Sequence, residues 1–402
     1  MWIKTANNDL NSQGRHQRPN TLTGNIIVTH GRNLYHLNEL SWIAQMTPPQ
    51  GVRIENNIFG ESEQWATLSQ DTATASSFGI VIFEGIQTHI ENNQFYGLLG
   101  SAILTGSEAS ETHIIGNTMQ GNGGAGMPDA IHLEGTIAGT EIHHNTICHS
   151  AGSAVFLFKP QGSITIRDND FHYNGQGVDR AAIYLMGSGH EVFNNHVTHQ
   201  SGGGVVVAAY PRSVQNRIQG NRFSDLAGLS IDLVARRSTG VWDYALGDGV
   251  NPPRNSGNCR FDTANQAIDA PQFLGEEFFL FEDEVTIAGY ANPGSIVDIY
   301  QVAPVADNIV STQIGMDFRN YAPLQELLGS VRVEEATGKF QVSLKGLQPG
   351  DRISAIATDP RFGTSEPAKN AIVLTIVSVV PLVPVAYSNS DTASFDGCMA
   401  TY

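Results

Sequence analysis

Short hydrophobic runs alternate with polar residues from Val52 to Leu233, and they repeat one pattern. Each of seven segments has an Ile or Val, two further residues, an asparagine, one residue and then a large apolar side chain. The segments are Ile54–Phe59, Ile90–Phe95, Ile114–Met119, Ile142–Ile147, Ile166–Phe171, Val192–Val197 and Ile218–Phe223. A second alternating run, such as Ile131–Leu133, follows most of them. A period of two predicts short β-strands separated by turns.

The asparagines of these segments, from Asn57 to Asn221, are 36, 24, 28, 24, 26 and 26 residues apart. A period of this length indicates a solenoid, in which each repeat contacts only its neighbours. We therefore predict coils that pair equivalent strands in parallel and stack their apolar side chains inside. Asparagine tolerates left-handed backbone conformations, and its amide can bond to the equivalent amide of the next coil. The asparagines are thus expected to form a ladder.

The repeated asparagine rule and the parallel coils resemble the right-handed parallel β-helix repeat family. This pectate-lyase-like fold occurs in many carbohydrate-binding proteins and sugar-cleaving enzymes. The resemblance covers nearly half of the chain and implies a right-handed parallel β-helix. It leaves the chemistry open, because one fold carries many functions.

Alternation returns between residues 273 and 375 without the asparagine rule. Gly289–Gly294 followed by Val297–Tyr300, and Ala355–Asp359 followed by Gly363–Glu366, resemble the immunoglobulin-like module that often follows β-helix repeats in bacterial surface and secreted proteins. We predict an all-β protein in which a small β-sandwich follows the solenoid. The predicted parts are an N-terminal segment and cap (1–51), the β-helix (52–234), a loop-rich linker (235–272), the sandwich (273–375) and a tail (376–402).

The composition narrows the choice of partners. Only 15% of the 402 residues are charged and 42 are glycine, which is typical of a turn-rich all-β protein. The net charge of -17 at pH 7 argues against nucleic acid or an anionic membrane, because both would be repelled. No stretch reaches the roughly 18 apolar residues of a membrane helix, so no membrane insertion is expected. We expect an extracellular or cell-surface location, although the first residues show no signal peptide.

Loops of variable length separate the strands, and such insertions form the walls of a groove in β-helices. The longest loop spans residues 60–77, and intermediate loops span 120–128 and 172–180. The floor of this groove is expected to consist of outward positions on the adjoining strands. These positions are Val81, Leu104, His132, Phe156, Tyr184, Val206 and Asp232.

An aromatic row on this floor would suit the apolar faces of sugar rings. β-Elimination or C5 epimerisation of an acidic polysaccharide needs a base beside a cation that neutralises the uronate carboxylate. The candidate catalytic residues are His132 or Tyr184 as base, Arg180, and Asp129; the candidate substrate-binding residues are Phe156, Lys159 and Glu134. Glycoside hydrolysis would require two neighbouring carboxylates, for which Asp129 and Glu134 are the candidates.

Other interpretations stay open. Aromatic residues favour strands wherever they face, and the catalytic signatures of pectate lyases, polygalacturonases and alginate epimerases are absent. Nine of the 13 histidines lie between His113 and His199, but no HExxH or CxxC spacing indicates a metal site. We predict no metal cofactor, with Ca²⁺ as an alternative. Its candidate ligands are Asp243, Asp248, Asp262 and Asp269, whose spacing does not match an EF-hand loop.

The sequence therefore supports three hypotheses. The first is an extracellular or cell-surface protein that binds a glycan or another surface component along the side of its β-helix. The second is a polysaccharide lyase or C5-epimerase acting on a uronate polymer. The third is self-association through an exposed coil end or the apolar tail, because uncovered strand edges attract other strands.

Overall fold

A computed structural model describes residues 21–23, 26–27, 50–60, 78–210, 212–236, 245–303 and 320–375. Residues 61–77 of the longest predicted loop, Asp243, the tail 376–402 and most of the predicted N-terminal segment lie outside these ranges. Within the described ranges, the only helical element is the short 3-10 segment Ala264–Ala267. No helix there has the length and hydrophobicity needed to cross a lipid bilayer.

The described strands are short and are numbered here in chain order. They are β1 (Thr21–Thr23), β2 (Ile26–Ile27), β3 (Arg53–Glu55), β4 (Ile58–Gly60), β5 (Ile80–Glu84), β6 (His89–Glu91), β7 (Gln94–Tyr96), β8 (Ile103–Glu108), β9 (His113–Ile115), β10 (Thr118–Gln120), β11 (Ile131–Thr136), β12 (Thr140–His143), β13 (Thr146–Cys148), β14 (Val155–Gln161), β15 (Ile164–Arg167), β16 (Asp170–His172), β17 (Ile183–Leu185), β18 (Glu191–Phe193), β19 (His196–Gln200), β20 (Val205–Val207), β21 (Arg217–Gln219), β22 (Arg222–Leu226), β23 (Ile231–Leu233), β24 (Gln272–Phe273), β25 (Glu277–Phe281), β26 (Glu284–Tyr290), β27 (Ile296–Val302), β28 (Leu324–Arg332), β29 (Lys339–Lys345), β30 (Arg352–Asp359), β31 (Gly363–Thr364) and β32 (Ala371–Thr375).

The first 23 strands form three parallel sheets, as the repeat pattern predicts. Sheet A has the order β1-β3-β6-β9-β12-β15-β18-β21, sheet B the order β2-β4-β7-β10-β13-β16-β19-β22 and sheet C the order β5-β8-β11-β14-β17-β20-β23. Each coil from β3 onwards contributes one strand to each sheet, so equivalent residues of successive coils lie side by side. The prediction of a parallel β-solenoid is therefore confirmed.

The inward side chains stack along the axis of the solenoid. In sheet B the inward positions of successive coils pair as Phe95 with Met119, Met119 with Ile147, and Ile147 with Phe171. All four side chains are completely buried. Burying a large apolar side chain contributes about 1.5–3 kcal/mol, so this stack is a main source of the solenoid's stability.

The asparagine ladder forms at the turn between sheets A and B. The Oδ1 atom of Asn145, for example, accepts from the main-chain N–H of Asn117 at 2.9 Å and from its Nδ2 at 3.0 Å. Its own Nδ2 donates to the Oδ1 of Asn169 at 3.0 Å and to the carbonyl of Ile114 at 2.9 Å. The left-handed residue is not the asparagine but the one before it, such as His144 with φ of 57°. The ladder asparagines are buried and serve as bonding groups between coils.

The C-terminal strands form a nine-stranded, mostly antiparallel sheet in the order β24-β26-β25-β32-β30-β27-β28, with β29 paired to β26 and β31 to β30. It closes around its own apolar core, which includes Ile287, Ile299, Phe340, Ile353 and Val373. These strands form the predicted β-sandwich.

The sandwich packs on the end of the solenoid. Tyr300, Leu324 and Ile356 of the sandwich belong to the same buried apolar cluster as the solenoid core. The Oγ1 of Thr364 accepts the N–H of Ile218 in β21, the last strand of sheet A, at 2.8 Å. A solenoid end must be covered to protect its core and its unpaired strand. The sandwich provides that cover at the C-terminal end.

Candidate functional site

The predicted floor residues form one continuous row on the outer face of sheet C. Strand register pairs Val81 with Leu104, Leu104 with His132, His132 with Phe156, Phe156 with Tyr184, Tyr184 with Val206, and Val206 with Asp232. The rings of His132 and Phe156 stack with centroids 5.1 Å apart, and those of Phe156 and Tyr184 with centroids 4.7 Å apart. The structure thus brings the three aromatic residues together.

One half of this row is covered. Tyr184 and Asp232 are each only 1% exposed, and Val206 is fully buried. Ala245 packs with Tyr184 and Val206, and its carbonyl accepts the N–H of Ala181 at 2.7 Å. The expectation that Tyr184 lies open on the floor is therefore wrong. The chain after the last coil folds back across this part of the sheet, which a strand pattern alone does not predict.

The other half is the more open one, although His132 itself is only 8% exposed, and a second row of outward positions borders it. Phe83 and Phe158 are 42% and 39% exposed, and Glu134 pairs with Phe158 in register. Gly106 lies beside Phe83, and a Cβ at this glycine would meet the Cδ2 of the ring at 2.7 Å. The glycine therefore leaves room for the ring to lie across β8. Sequence reasoning missed Phe83 and Phe158, although both have the outward parity of the first row.

A buried hydrogen-bond network supports the centre of the open half. The Nη1 of Arg180 donates to both carboxylate oxygens of Asp129 at 2.9 Å, and the N–H of Ser153 donates to Oδ1 at 2.8 Å. The Oδ2 of Asp129 lies 3.3 Å from the Nδ1 of His132. Asp129 is fully buried. A proton on Nδ1 that points at this carboxylate leaves Nε2 as the lone-pair nitrogen of a neutral imidazole.

The cations of the site are placed differently from the expectation. The guanidinium of Arg180 lies 4.9 Å from the Phe156 ring centroid while it binds Asp129. It stabilises the buried carboxylate and is already engaged, so it is a weak candidate for holding a substrate carboxylate. Lys159 is exposed, with its Nζ 5.1 Å from the Phe158 ring centroid. Lys159 is the cation that faces the open half.

Carboxylates outnumber available cations on this face. Glu84 pairs in register with Glu108 at the end of sheet C, and Glu134 lies on the next strand. Asp129 is unsuited to acid–base work on a substrate, because it is buried and paired with Arg180. The open half of the sheet therefore combines exposed aromatic rings with a mildly acidic border.

The acidic residues considered for calcium bind main-chain groups. The Oδ1 of Asp262 accepts the N–H of Cys259 at 2.9 Å, and the Oδ1 of Asp269 accepts the N–H of Arg254 at 2.6 Å. The Oδ2 of Asp248 accepts the N–H of Ala235 at 3.0 Å. Among the described residues, no three His, Cys, Asp or Glu side chains are grouped to hold a metal ion.

Comparison with known proteins supports the fold. Residues 107–240 match the family described as the right-handed beta helix region. No curated protein sequence matches the chain. The structure is similar to the tailspike protein of E. coli bacteriophage HK620 in complex with a pentasaccharide, with 8% identity over 80% of this chain and 70% of that chain and a TM-score of 0.28. A doubly substituted variant of the same tailspike gives 8% identity, the same coverage and a TM-score of 0.29. Sequence identities and TM-scores this low give no information about function.

Proposed function

We propose that the protein binds a neutral polysaccharide along the open half of sheet C, and that it does so outside the cell or at a cell surface. One observation carries the proposal: Phe156 and Phe158 on β14, and Phe83 on β5 three coils away, present apolar ring surface on one face of sheet C, beside the polar side chains of Glu134 and His132. Sugar rings have one apolar face and a rim of hydroxyls, so they match an aromatic surface bordered by hydrogen-bonding groups.

The charges favour a neutral glycan over an acidic one. Within the described strands of sheet C, the carboxylates of Glu84, Glu108 and Glu134 outnumber the exposed cation Lys159. A polyuronate would meet like charge along most of its length, and the net charge of -17 adds to this repulsion.

Truncation of the exposed rings tests this function. Phe158→Ala should weaken binding in a glycan array and in calorimetry with the best array hit by roughly tenfold, equivalent to about 1.4 kcal/mol. Phe281→Ala is the matched control, because Phe281 is 69% exposed but lies on the sandwich. Equal affinities for wild type and Phe158→Ala, or equal losses in both variants, would refute binding at this face.

A second function, lyase or C5-epimerase activity on a uronate polymer, has one observation in its favour. Asp129 fixes the ring of His132, as an orienting carboxylate does for a catalytic base. Because Tyr184 is buried and Arg180 is engaged, this mechanism would depend on His132 as base and Lys159 as cation. Incubation with alginate, pectate and polygalacturonate, with and without Ca²⁺, should then produce unsaturated or epimerised residues that His132→Ala abolishes. The matched control is His196→Ala on sheet B, and an unchanged signal in His132→Ala would reject the mechanism.

A further inference from the structure

A separate cavity of about 450 Å³ lies where the chain leaves the solenoid and enters the sandwich. Its volume falls within the range of about 300–1,000 Å³ that is usual for small-molecule sites, which are often found at domain junctions. The walls include the rings of Phe273 and Tyr321 and the prolines Pro252 and Pro271. Proline fixes its own backbone φ angle, so these walls are largely preformed.

The carboxyl group of Glu366 lines this cavity and is otherwise deeply buried. Its Oε1 accepts the N–H of Leu233 at 3.1 Å and the Nδ2 of Asn251 at 2.7 Å, and its Oε2 accepts the N–H of Asn251 at 2.8 Å. Glu366 is only 4% exposed. A carboxylate has about four acceptor positions, so three N–H donors leave one for a ligand.

Within the described part of the chain, Glu366 differs from the other acidic residues of the lining in having no cationic partner. Glu276 pairs with the Nζ of Lys369 at 2.5 Å, and Asp269 lies 4.0 Å from the Nη2 of Arg254. In the described part of the chain, the partners of the Glu366 carboxyl are the main chain of Leu233 and the backbone and side-chain amide of Asn251. A buried carboxylate without a cation is costly, and burial raises the pKa of Glu366 to about 8 despite these donors.

We propose that this cavity binds a small organic cation with a primary ammonium group, which pairs with the carboxylate of Glu366. The ammonium would take the remaining acceptor position, and the hydrocarbon part would contact the rings of Phe273 and Tyr321. Aromatic rings also attract cations through their faces. An anion is disfavoured by the acidic lining, which includes Asp269, Glu276 and Glu366. A neutral ligand would not gain the ion pair that an ammonium group forms with the carboxylate. This site is independent of the glycan-binding face.

Calorimetry on the full chain with a matched pair of probes tests the charge requirement. Benzylamine should bind, and benzyl alcohol, which has nearly the same shape without the charge, should bind at least about tenfold more weakly, a difference of about 1.4 kcal/mol. Because burial raises the pKa of Glu366 to about 8, binding of the cation at pH 7 should release a proton from this group. The release is measured by comparing binding heats in phosphate and MOPS buffers. Equal affinities for the two probes, or no binding of benzylamine, would overturn the proposal.

Two variants locate the binding site. Ala270 lines the cavity, and Ala270→Leu should weaken benzylamine binding by at least about tenfold, because the larger side chain occupies part of the cavity while Glu366 is unchanged. The exposed Ala138, on the solenoid, gives the matched control Ala138→Leu, which should bind as wild type does. Benzylamine binding of wild-type affinity in Ala270→Leu would overturn the site. Phe158→Ala should leave this binding intact, so the outcome is separate from that of the glycan experiment.

Discussion

The interface between one coil and the next and the interface between the last coil and the sandwich satisfy equivalent N–H groups with different acceptors. Within the solenoid, the N–H before each ladder asparagine donates to a carbonyl of the following coil. Asn92 donates to Ile115 at 3.0 Å, and His144 donates to Asp168 at 3.0 Å. In the last coil the equivalent N–H belongs to Gly220, and the hydroxyl oxygen of Tyr300 accepts it at 2.8 Å.

The sandwich thus supplies acceptors where a further coil would supply main-chain carbonyls. The carbonyl of Phe362 accepts the N–H of Gln215 at 2.8 Å, and Thr364 and Glu366 accept the N–H groups of Ile218 and Leu233. Buried N–H groups need partners wherever they occur. The difference lies in the acceptors: the coils use repeated neutral groups, whereas the sandwich combines the carbonyl of Phe362 with individual side chains, one of which is a buried acid.

Breaking the interface between coils should lower the unfolding free energy the most. Asn145→Leu keeps the volume of the side chain but removes the partners of the Asn117 N–H and the Ile114 carbonyl. Each buried group left without a partner costs about 1–3 kcal/mol, so the variant should lose roughly 2–6 kcal/mol of unfolding free energy in urea titrations.

The control for this variant is Asn92→Gly. Asn92 is exposed and has φ of 56°, so glycine preserves the turn and leaves the ladder intact. The urea midpoint of Asn92→Gly should stay close to that of the wild type. A similar loss in both variants would mean that the ladder contributes no more than an ordinary turn residue.

The buried acid Glu366 should make the stability of the interface with the sandwich sensitive to pH. Burial raises the pKa of Glu366 from 4.5 to about 8, so between these values the folded protein binds a proton that the unfolded chain releases. The unfolding free energy should therefore fall as the pH rises from about 4.5 to about 8, by up to ~5 kcal/mol from this group. Burial also raises the pKa of Asp232, which acts in the same direction.

Glu366→Gln isolates this effect, because an amide does not titrate. Urea titrations at pH 5, 6.5 and 8 should show a shallower decline of unfolding free energy in the variant than in the wild type. The difference in unfolding free energy between the two proteins should therefore change with pH, whatever its value at pH 5. Parallel curves, or a wild type that becomes more stable towards pH 8 relative to the variant, would contradict the prediction.

The two interfaces also differ in how far the sequence predicts them. The ladder follows from repetition: Asn117 and Asn145 occupy equivalent positions, so one rule places every coil. The acceptors of the sandwich come from segments without a repeat, and Tyr300 meets Gly220 across 80 positions of the chain. The same reason explains which part of the candidate site the sequence predicts. Strand parity predicted the row containing His132 and Phe156, but the cover over Tyr184 comes from a non-repeating segment.

Removing a neutral acceptor of the sandwich should lower the unfolding free energy the least. Tyr300→Phe keeps the ring in the shared apolar core and removes only the oxygen that accepts the Gly220 N–H. Loss of one buried hydrogen-bond acceptor should cost about 1–3 kcal/mol, below the effect of Asn145→Leu, in which at least two groups lose partners. Hydrogen exchange provides the specific measurement. The Gly220 amide should exchange faster in Tyr300→Phe, while the Asn92 amide, which donates within the solenoid, should keep its protection. Equal acceleration at both amides would indicate that the sandwich stabilises the solenoid as a whole, rather than by replacing the missing coil at individual N–H groups.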